Sequence, residues 1–317
     1  MKVTDHIKQA NGTLVSFEIL PPLKGKGITN IYHHLDPLME FKPSWINVTY
    51  HRSETAFKKR ADGSFEKVEV RKRPGTVGIC AAIMNYYHID AVPHMICGGF
   101  TKRETEDALI DLNFLGIDNV LIIRGDAASN EASFEPEPSG HTYAIDLLKQ
   151  VVNLNNGIYL DEDIRDGGKT VFCMGVAGYP EKHFEAPNLE IDLQRLKEKV
   201  DAGAEYVMTQ MFFDNRKFCD FVRACRNTGI DVPIIPGLKP ITTKKQLSVL
   251  PGIFHVDIPT ELSNEIIKCK TDADCEKVGT EWLIQQSKEL KTFGVPVLHY
   301  YTLGKSKVIW NVVKELV

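Results

Sequence analysis

No Cys-x-x-Cys pair occurs among the seven cysteines, which stand apart at positions 80, 97, 173, 219, 225, 269 and 275. That spacing offers no zinc ribbon, no cluster site and no disulfide framework, and it reads as reduced thiols in a cytoplasmic protein. No apolar run approaches the roughly 20 residues of a membrane span. The start, Met1-Lys2-Val3-Thr4-Asp5, leads into no signal-peptide core. Neither sign of charge dominates: 38 basic residues face 42 acidic ones, so the electrostatic footprint of a nucleic-acid binder is missing. No Gly-x-Gly-x-x-Gly follows any strand-like run, which argues against a Rossmann domain. A Gly-x-Ser-x-Gly elbow and a His/carboxylate cluster with metal-ligand spacing are absent too. There is no internal repeat and no low-complexity segment.

What is there is an apolar fraction of 43% distributed in short, strongly β-branched runs. Asn119-Val120-Leu121-Ile122-Ile123 is the clearest of them, a strand buried on both faces that stops in Arg124-Gly125-Asp126. Such a tip is either chemistry delivered at the end of a barrel strand or a surface turn closed by a local Arg124–Asp126 ion pair. Before it, Thr101 to Glu104 has capping-box spacing, and Leu109, Leu112 and Leu115 recur at helical intervals.

Seven further runs read the same way. They are Thr13–Leu20, Ser44–Tyr50, Pro93–Cys97, Thr170–Ala177, Tyr206–Gln210, Pro233–Gly237 and Val297–Thr302, separated by helical patterns. Eight strands alternating with helices, each ending in polar residues or glycine, predict one (β/α)8 barrel. Three stretches exceed what the barrel needs: a polar, basic segment from Ser53 to Arg73, a structureless loop from Ala127 to Gly140, and a mostly helical section from Thr242 to Thr292. The first reads as a long loop or small hairpin over one rim, either a solvated face or a lure for an anionic ligand.

The strand tips bring Glu18, Thr49-Tyr50-His51, His94, Arg124, Asp126, Tyr179, His183, Gln210 and Thr302 toward one end. That set contains a candidate acid, hydrogen-bonding groups and aromatics able to cover a flat ring. Glu18, inside an apolar strand, either meets water or a partner, or keeps its proton because desolvation raises its pKa. The tips predict a site for a planar organic cofactor or substrate with proton-transfer chemistry.

Several motifs, in order along nearly the whole chain, resemble the methylenetetrahydrofolate reductase family. They are Ser16-Phe17-Glu18-Ile19-Leu20-Pro21-Pro22, Asn47-Val48-Thr49-Tyr50, Leu121 to Asp126, Gly178-Tyr179-Pro180-Glu181-Lys182-His183, Asp201-Ala202-Gly203-Ala204, Thr209 to Asp214, Ile235-Pro236-Gly237 and His299-Tyr300-Tyr301-Thr302-Leu303. The resemblance implies an α/β fold, a single TIM barrel with extra helices, in which residues 1–317 form one FAD-binding catalytic domain. It implies ping-pong hydride transfer through FAD from a nicotinamide coenzyme to 5,10-methylenetetrahydrofolate, giving 5-methyltetrahydrofolate for methionine synthesis. Only the catalytic domain of the family is resembled, without the regulatory extension of eukaryotic members. A homo-oligomer is compatible with the resemblance, and the choice between NADH and NADPH stays open.

By position, the resemblance makes Glu18 the general acid and Asp126 the catalytic carboxylate beside flavin and pterin. It gives flavin contacts to Thr49, Tyr50, His51, Arg52, His94, Arg124, Gly125, Asp126, Tyr143, Ala144, Tyr179, His183, Asp192, Arg195 and Lys199. Arg124 and Lys199 suit the diphosphate. Gln210, Gln246 and Lys305 fall at folate-contacting positions, and no metal is implied. Three departures concern the substrate side: the basic Ser53–Arg73 segment, Leu250 where some members have an aromatic, and Lys305 in place of an arginine, losing the planar fork. Two other readings stay open. One is another FAD-binding barrel of the proline dehydrogenase type, against which the Phe17-Glu18 strand and Thr209-Gln210 argue. The other is a non-catalytic flavin- or folate-binding subunit, against which the retained Glu18 argues.

Overall fold

The computed structural model describes residues 1–127, 131 and 133–316. Part of the loop expected between Ala127 and Gly140 therefore lies outside the described residues. Eight parallel strands close a barrel: β1 (Leu14–Ile19), β2 (Trp45–Val48), β5 (Asp90–Ile96), β6 (Asn119–Ile123), β7 (Cys173–Gly178), β8 (Tyr206–Met211), β9 (Ile234–Leu238) and β10 (Val297–Tyr301). β10 closes against β1, with Glu18 level with Tyr301. The helices that return the chain between strands include α2 (Thr29–Leu35), α3 (Thr76–Tyr87), α4 (Lys102–Phe114), α5 (Ala144–Asn155), α6 (Leu189–Asp201) and α7 (Asn215–Asn227). The capping box read from Thr101 and Glu104 starts α4, with Glu104 N donating to Thr101 Oγ1 at 3.2 Å. No helix among the described residues is long and apolar enough to cross a membrane.

Inside the barrel the layers change character along the axis. Trp45, Val92, Leu121, Ile235 and Val297 fill the lower part, and Val3 and Ile7 of α1 (Val3–Gln9) plug its floor. Above them the inward positions turn polar, with Ser16, Glu18, Asn47, His94 and His299 all buried. Apolar packing therefore sets the barrel, and the opposite end is left for chemistry.

The segment from Ser53 to Arg73 is a two-stranded antiparallel hairpin, β3 (Glu54–Lys59) with β4 (Phe65–Val70), whose Phe57 and Phe65 are each 67% exposed. The helical section after β9 divides into α8 (Gln246–Phe254), α9 (Thr260–Lys268) and α10 (Asp272–Phe293), before α11 (Ser306–Lys314) ends the fold. Within α10, Gly279 has a physical reason: a Cβ there would stand 1.8 Å from the Ile241 carbonyl oxygen, so the loop after β9 packs directly on helix backbone.

Two expected boundaries shift. β7 begins at Cys173 rather than Thr170, because the Asn155 side chain takes the hydrogen bonds of that stretch, accepting from Thr170 Oγ1 at 2.6 Å and Phe172 N at 2.9 Å. β5 begins at Asp90, ahead of Pro93, and Asp90 is tied to the amino terminus at 2.8 Å and to His6 at 2.6 Å. Pro93 is tolerated inside a strand because it pairs with Val48, the last residue of β2, where the ladder is ending anyway. The local Arg124–Asp126 pair does not form: Arg124 instead makes a two-pronged bond to Glu185, at 2.6 and 2.9 Å.

Candidate active site

The C-terminal ends of the strands open into a cleft of about 490 Å³. Its lower wall is apolar, from Ile96, Leu121, Ile123, Ala177 and Met208, and its rim carries the polar tips. Twelve of the residues singled out in the sequence line it together: Glu18, Thr49, Tyr50, His51, Arg52, His94, Arg124, Gly125, Asp126, Tyr179, His183 and Gln210.

Glu18 sits at the bottom of this cleft and is 7% exposed. Two hydrogen bonds from Thr302, the hydroxyl at 2.7 Å and the amide at 3.0 Å, fix its carbonyl and so its place on β1. Its carboxyl Oε2 lies 3.3 Å from His94 Nε2 and 3.8 Å from His299 Nε2. Burial pushes the acid from 4.5 up to about 7, partly opposed by His94. The same burial pushes His94 down and His299 to about 3. Both imidazoles are therefore neutral where Glu18 is half protonated, and the group beside them is an acid holding a proton rather than half of an ion pair. Ser16 Oγ meets His299 Nδ1 at 2.8 Å and so holds that ring from behind, while Asn47 Nδ2 lies 3.2 Å from His94 Nε2, the nitrogen that faces Glu18.

Around the rim, Thr49 Oγ1 donates to the Ile19 carbonyl at 3.3 Å and lies 3.3 Å from His51 Nε2. Tyr50 packs on Phe100 at 4.8 Å, with the Arg71 guanidinium 5.4 Å over its ring. Arg52 pairs with Glu131 and lies along the Gly98-Gly99 turn, where a side chain would collide with it. Gly125, at φ +85°, lets the β6 tip bend against Ile96, and Asp126 beyond it is exposed. The Tyr179 and His183 rings meet edge-on at 4.6 Å, and Asp192 anchors their loop by accepting from His183 N at 2.9 Å.

The other expected residues stand behind or beside the lining. Lys199 lies beneath the rim, its Nζ donating to the Ala177 carbonyl at 2.9 Å, and burial pushes it down to about 8. Arg195 is exposed on α6, while Tyr143 and Ala144 begin α5, with Tyr143 N donating to Asp146 at 3.2 Å. Gln246 turns its Oε1 back to the Thr242 and Thr243 amides, at 2.6 and 3.1 Å. Lys305 is exposed past β10, 3.5 Å from Glu276.

Residues that the sequence did not single out complete the site. Leu250 is buried against the barrel, but one turn later Ile253, Phe254 and His255 reach the cleft. Glu181 brings that helix end in, accepting from Asp257 N at 2.7 Å while pairing with Lys217 at 2.9 Å. Phe184 stacks on His255 at 4.5 Å across the gap. His299 and Asn47 were legible only as members of motifs; nothing local in the chain says that they converge on Glu18. Among the described residues no cluster of three His, Cys, Asp or Glu side chains is placed to hold a metal ion.

Comparison with known proteins adds an independent line. The family model described as methylenetetrahydrofolate reductase matches residues 2–317. The 5,10-methylenetetrahydrofolate reductase of Escherichia coli is 30% identical over 95% of this chain and 90% of its own length. Methylenetetrahydrofolate reductase (NADH) 1 of Arabidopsis thaliana is 30% identical over 100% of the chain but 51% of its own length. The chain thus spans about half the length of its plant relative. Among solved structures, an uncharacterized protein from Clostridium thermocellum that binds two copies of 5-methyl-5,6,7,8-tetrahydrofolic acid shares the fold, with a TM-score of 0.56 and 14% identity over 99% of both chains. With the family model covering nearly every residue, the chain belongs to the methylenetetrahydrofolate reductase family.

Proposed function

We propose that the chain, acting as one catalytic domain, reduces 5,10-methylenetetrahydrofolate to 5-methyltetrahydrofolate with a nicotinamide coenzyme, using FAD bound in the cleft. The observation that carries the reading is Glu18, a carboxyl buried at the cleft bottom and pushed up to about 7, in a member of this family. Reduction of the substrate requires opening its five-membered ring, and that requires a proton on an amine nitrogen. An acid that holds its proton near neutral pH is suited to that transfer.

The lining fits the cofactor. The apolar wall of Ile96, Leu121, Ile123 and Ala177 suits one face of a flat ring, and Thr49 and His94 offer hydrogen bonds at its edge. Arg124, in the lining and paired with Glu185, and Lys199, just beneath the rim, are cations that suit a diphosphate. When bound, FAD would supply two-electron hydride chemistry between coenzyme and folate. The chain's own part is distinct. Glu18 delivers the proton, the neutral His94 and His299 leave about half of it protonated near pH 7, and Thr302 holds it in place. Tyr179, His183, Phe184 and Phe254 narrow the cleft around a planar ligand and keep water from it. Asp126, exposed at the rim, sets negative charge beside the ring systems. Seven free thiols, most of them buried, suit a reducing, cytoplasmic setting.

The test is steady-state turnover of 5,10-methylenetetrahydrofolate by the purified chain supplied with FAD and either NADH or NADPH. Formation of 5-methyltetrahydrofolate supports the proposal; oxidation of coenzyme with no methylated product, at any FAD concentration, refutes it.

A further inference from the structure

Among the described residues, Lys239 is the least exposed Lys or Arg, at 6% exposure. It follows β9 directly and precedes Pro240, which holds the residue before it extended. The alternation of the strand therefore continues through it. Gly237 faces the barrel interior, where an added Cβ would lie 2.2 Å from the Tyr301 hydroxyl, and Leu238 packs in the outer core. By that alternation Lys239 is placed inward again, behind the residues that line the cleft rather than among them. Leu238 is registered with Tyr300, so Lys239 comes level with Tyr301, and Tyr301 is level with Glu18. The ammonium stem thus starts in the same barrel layer as the acid, two strands away, beside a tyrosine that lines the cleft.

Nothing among the described residues neutralises it. Lys239 makes no hydrogen bond and no ion pair among the described residues. Among the described residues the charge acting on it is another cation, Lys305, just past the neighbouring strand; burial and that repulsion push it down to about 8. Lys199 makes the contrast: it is desolvated to a similar degree, but its Nζ has the Ala177 carbonyl at 2.9 Å. An ammonium taken out of water without an anion is costly, and a second cation beside it adds to the cost. A ligand carboxylate between the β9 and β10 tips would relieve both.

We propose that Lys239 binds a carboxylate of the acidic tail of the folate, with the exposed Lys305 taking charge farther out. The inference rests on the folate reading above and deepens it. With the ring system over Glu18, the tail leaves the cleft past Tyr301, and Lys239 becomes the group that distinguishes a glutamylated folate from the bare pteroate. Charge-assisted hydrogen bonds of this kind are the strong ones.

Isothermal titration of the holoprotein with 5-methyltetrahydrofolate and with its pteroate analogue, which lacks the glutamate, tests this. Lys239→Met should weaken the glutamylated ligand about 10- to 100-fold, the range for a hydrogen bond to a charged group. It should leave the pteroate within about twofold, and Lys239→Arg should restore part of the loss. In the ligand-free protein, Lys239→Met should raise Tm, since an uncompensated buried charge has gone. Equal losses for both ligands, no loss for either, or a lower ligand-free Tm would overturn the assignment. Failure of the unmutated protein to bind either ligand would refute the folate reading itself, and this proposal with it.

Discussion

Replacing Glu18 by glutamine keeps the shape of the side chain and removes its proton chemistry. Burial raises the acid from 4.5 to about 7, so ionising Glu18 in place costs about 3 kcal/mol. Glu18 is 7% exposed, so water screens little of this. Because its folded pKa is the raised one, the stability it confers is fully present below pH 4.5 and is lost as pH rises through about 7. Glu18→Gln should therefore flatten that part of the pH profile and be more stable than the parent at pH 8 by up to about 3 kcal/mol, less the cost of burying an amide. In anaerobic stopped-flow, the nicotinamide half-reaction needs no acid and should be nearly unchanged. The folate half-reaction should fall by ~10²-fold or more, and in the parent it should decline above about pH 7 as Glu18 loses its proton. Equal losses in both half-reactions, or a folate step that stays flat from pH 6 to 9 in the parent, would refute the assignment of Glu18 as the acid.

Three further outcomes follow from other parts of the site. Asp126→Asn removes an exposed negative charge from the rim, so a redox titration of bound flavin should show the midpoint rising by a few tens of millivolts at most, where ~30 mV is ~1.4 kcal/mol; an unchanged potential would place Asp126 away from the ring. Lys58 and Lys59 are exposed on the β3–β4 hairpin and Arg60 pairs with Glu66 at 3.1 Å, so neutralising all three should slow folate association at low ionic strength and lose its effect as salt rises past ~0.1 M, measured by stopped-flow binding. Gly237→Ala puts a Cβ 2.2 Å from the Tyr301 hydroxyl and 2.3 Å from the Thr209 carbonyl, and denaturant unfolding should show a loss of about 1–3 kcal/mol together with weaker folate binding.

The barrel was legible because each strand is buried on both faces and writes a short, continuous apolar run; Val120 to Ile123 and Tyr206 to Met208 admit little else. The tips were legible for the same reason, since polarity returns where a buried strand ends. Boundaries failed where a distant side chain replaced ladder bonds, as Asn155 does for Thr170 and Phe172. The Ser53–Arg73 segment shows why charge alone does not fix form: the antiparallel register of Phe57 with Lys67 and Lys59 with Phe65 becomes plain only once both strands are seen. Lys239 was passed over because one lysine before a proline is unremarkable in sequence. Its meaning comes from burial and from Lys305, 66 positions later in the numbering (239 to 305). Phe254 was hidden likewise, by the turn of α8 that buries Leu250 and presents its end to the cleft.

The central claim is that this cleft passes a hydride to a folate whose ring Glu18 has opened by protonation. The most direct measurement is anaerobic. The purified chain is loaded with FAD, reduced with NADH or NADPH, freed of coenzyme and mixed with 5,10-methylenetetrahydrofolate while flavin absorbance is followed. Reoxidation matched mole for mole by 5-methyltetrahydrofolate, and slowed ~10²-fold or more in Glu18→Gln, is the predicted result. Flavin that stays reduced in the presence of the folate, or that reoxidises at the parent rate in Glu18→Gln, would contradict it.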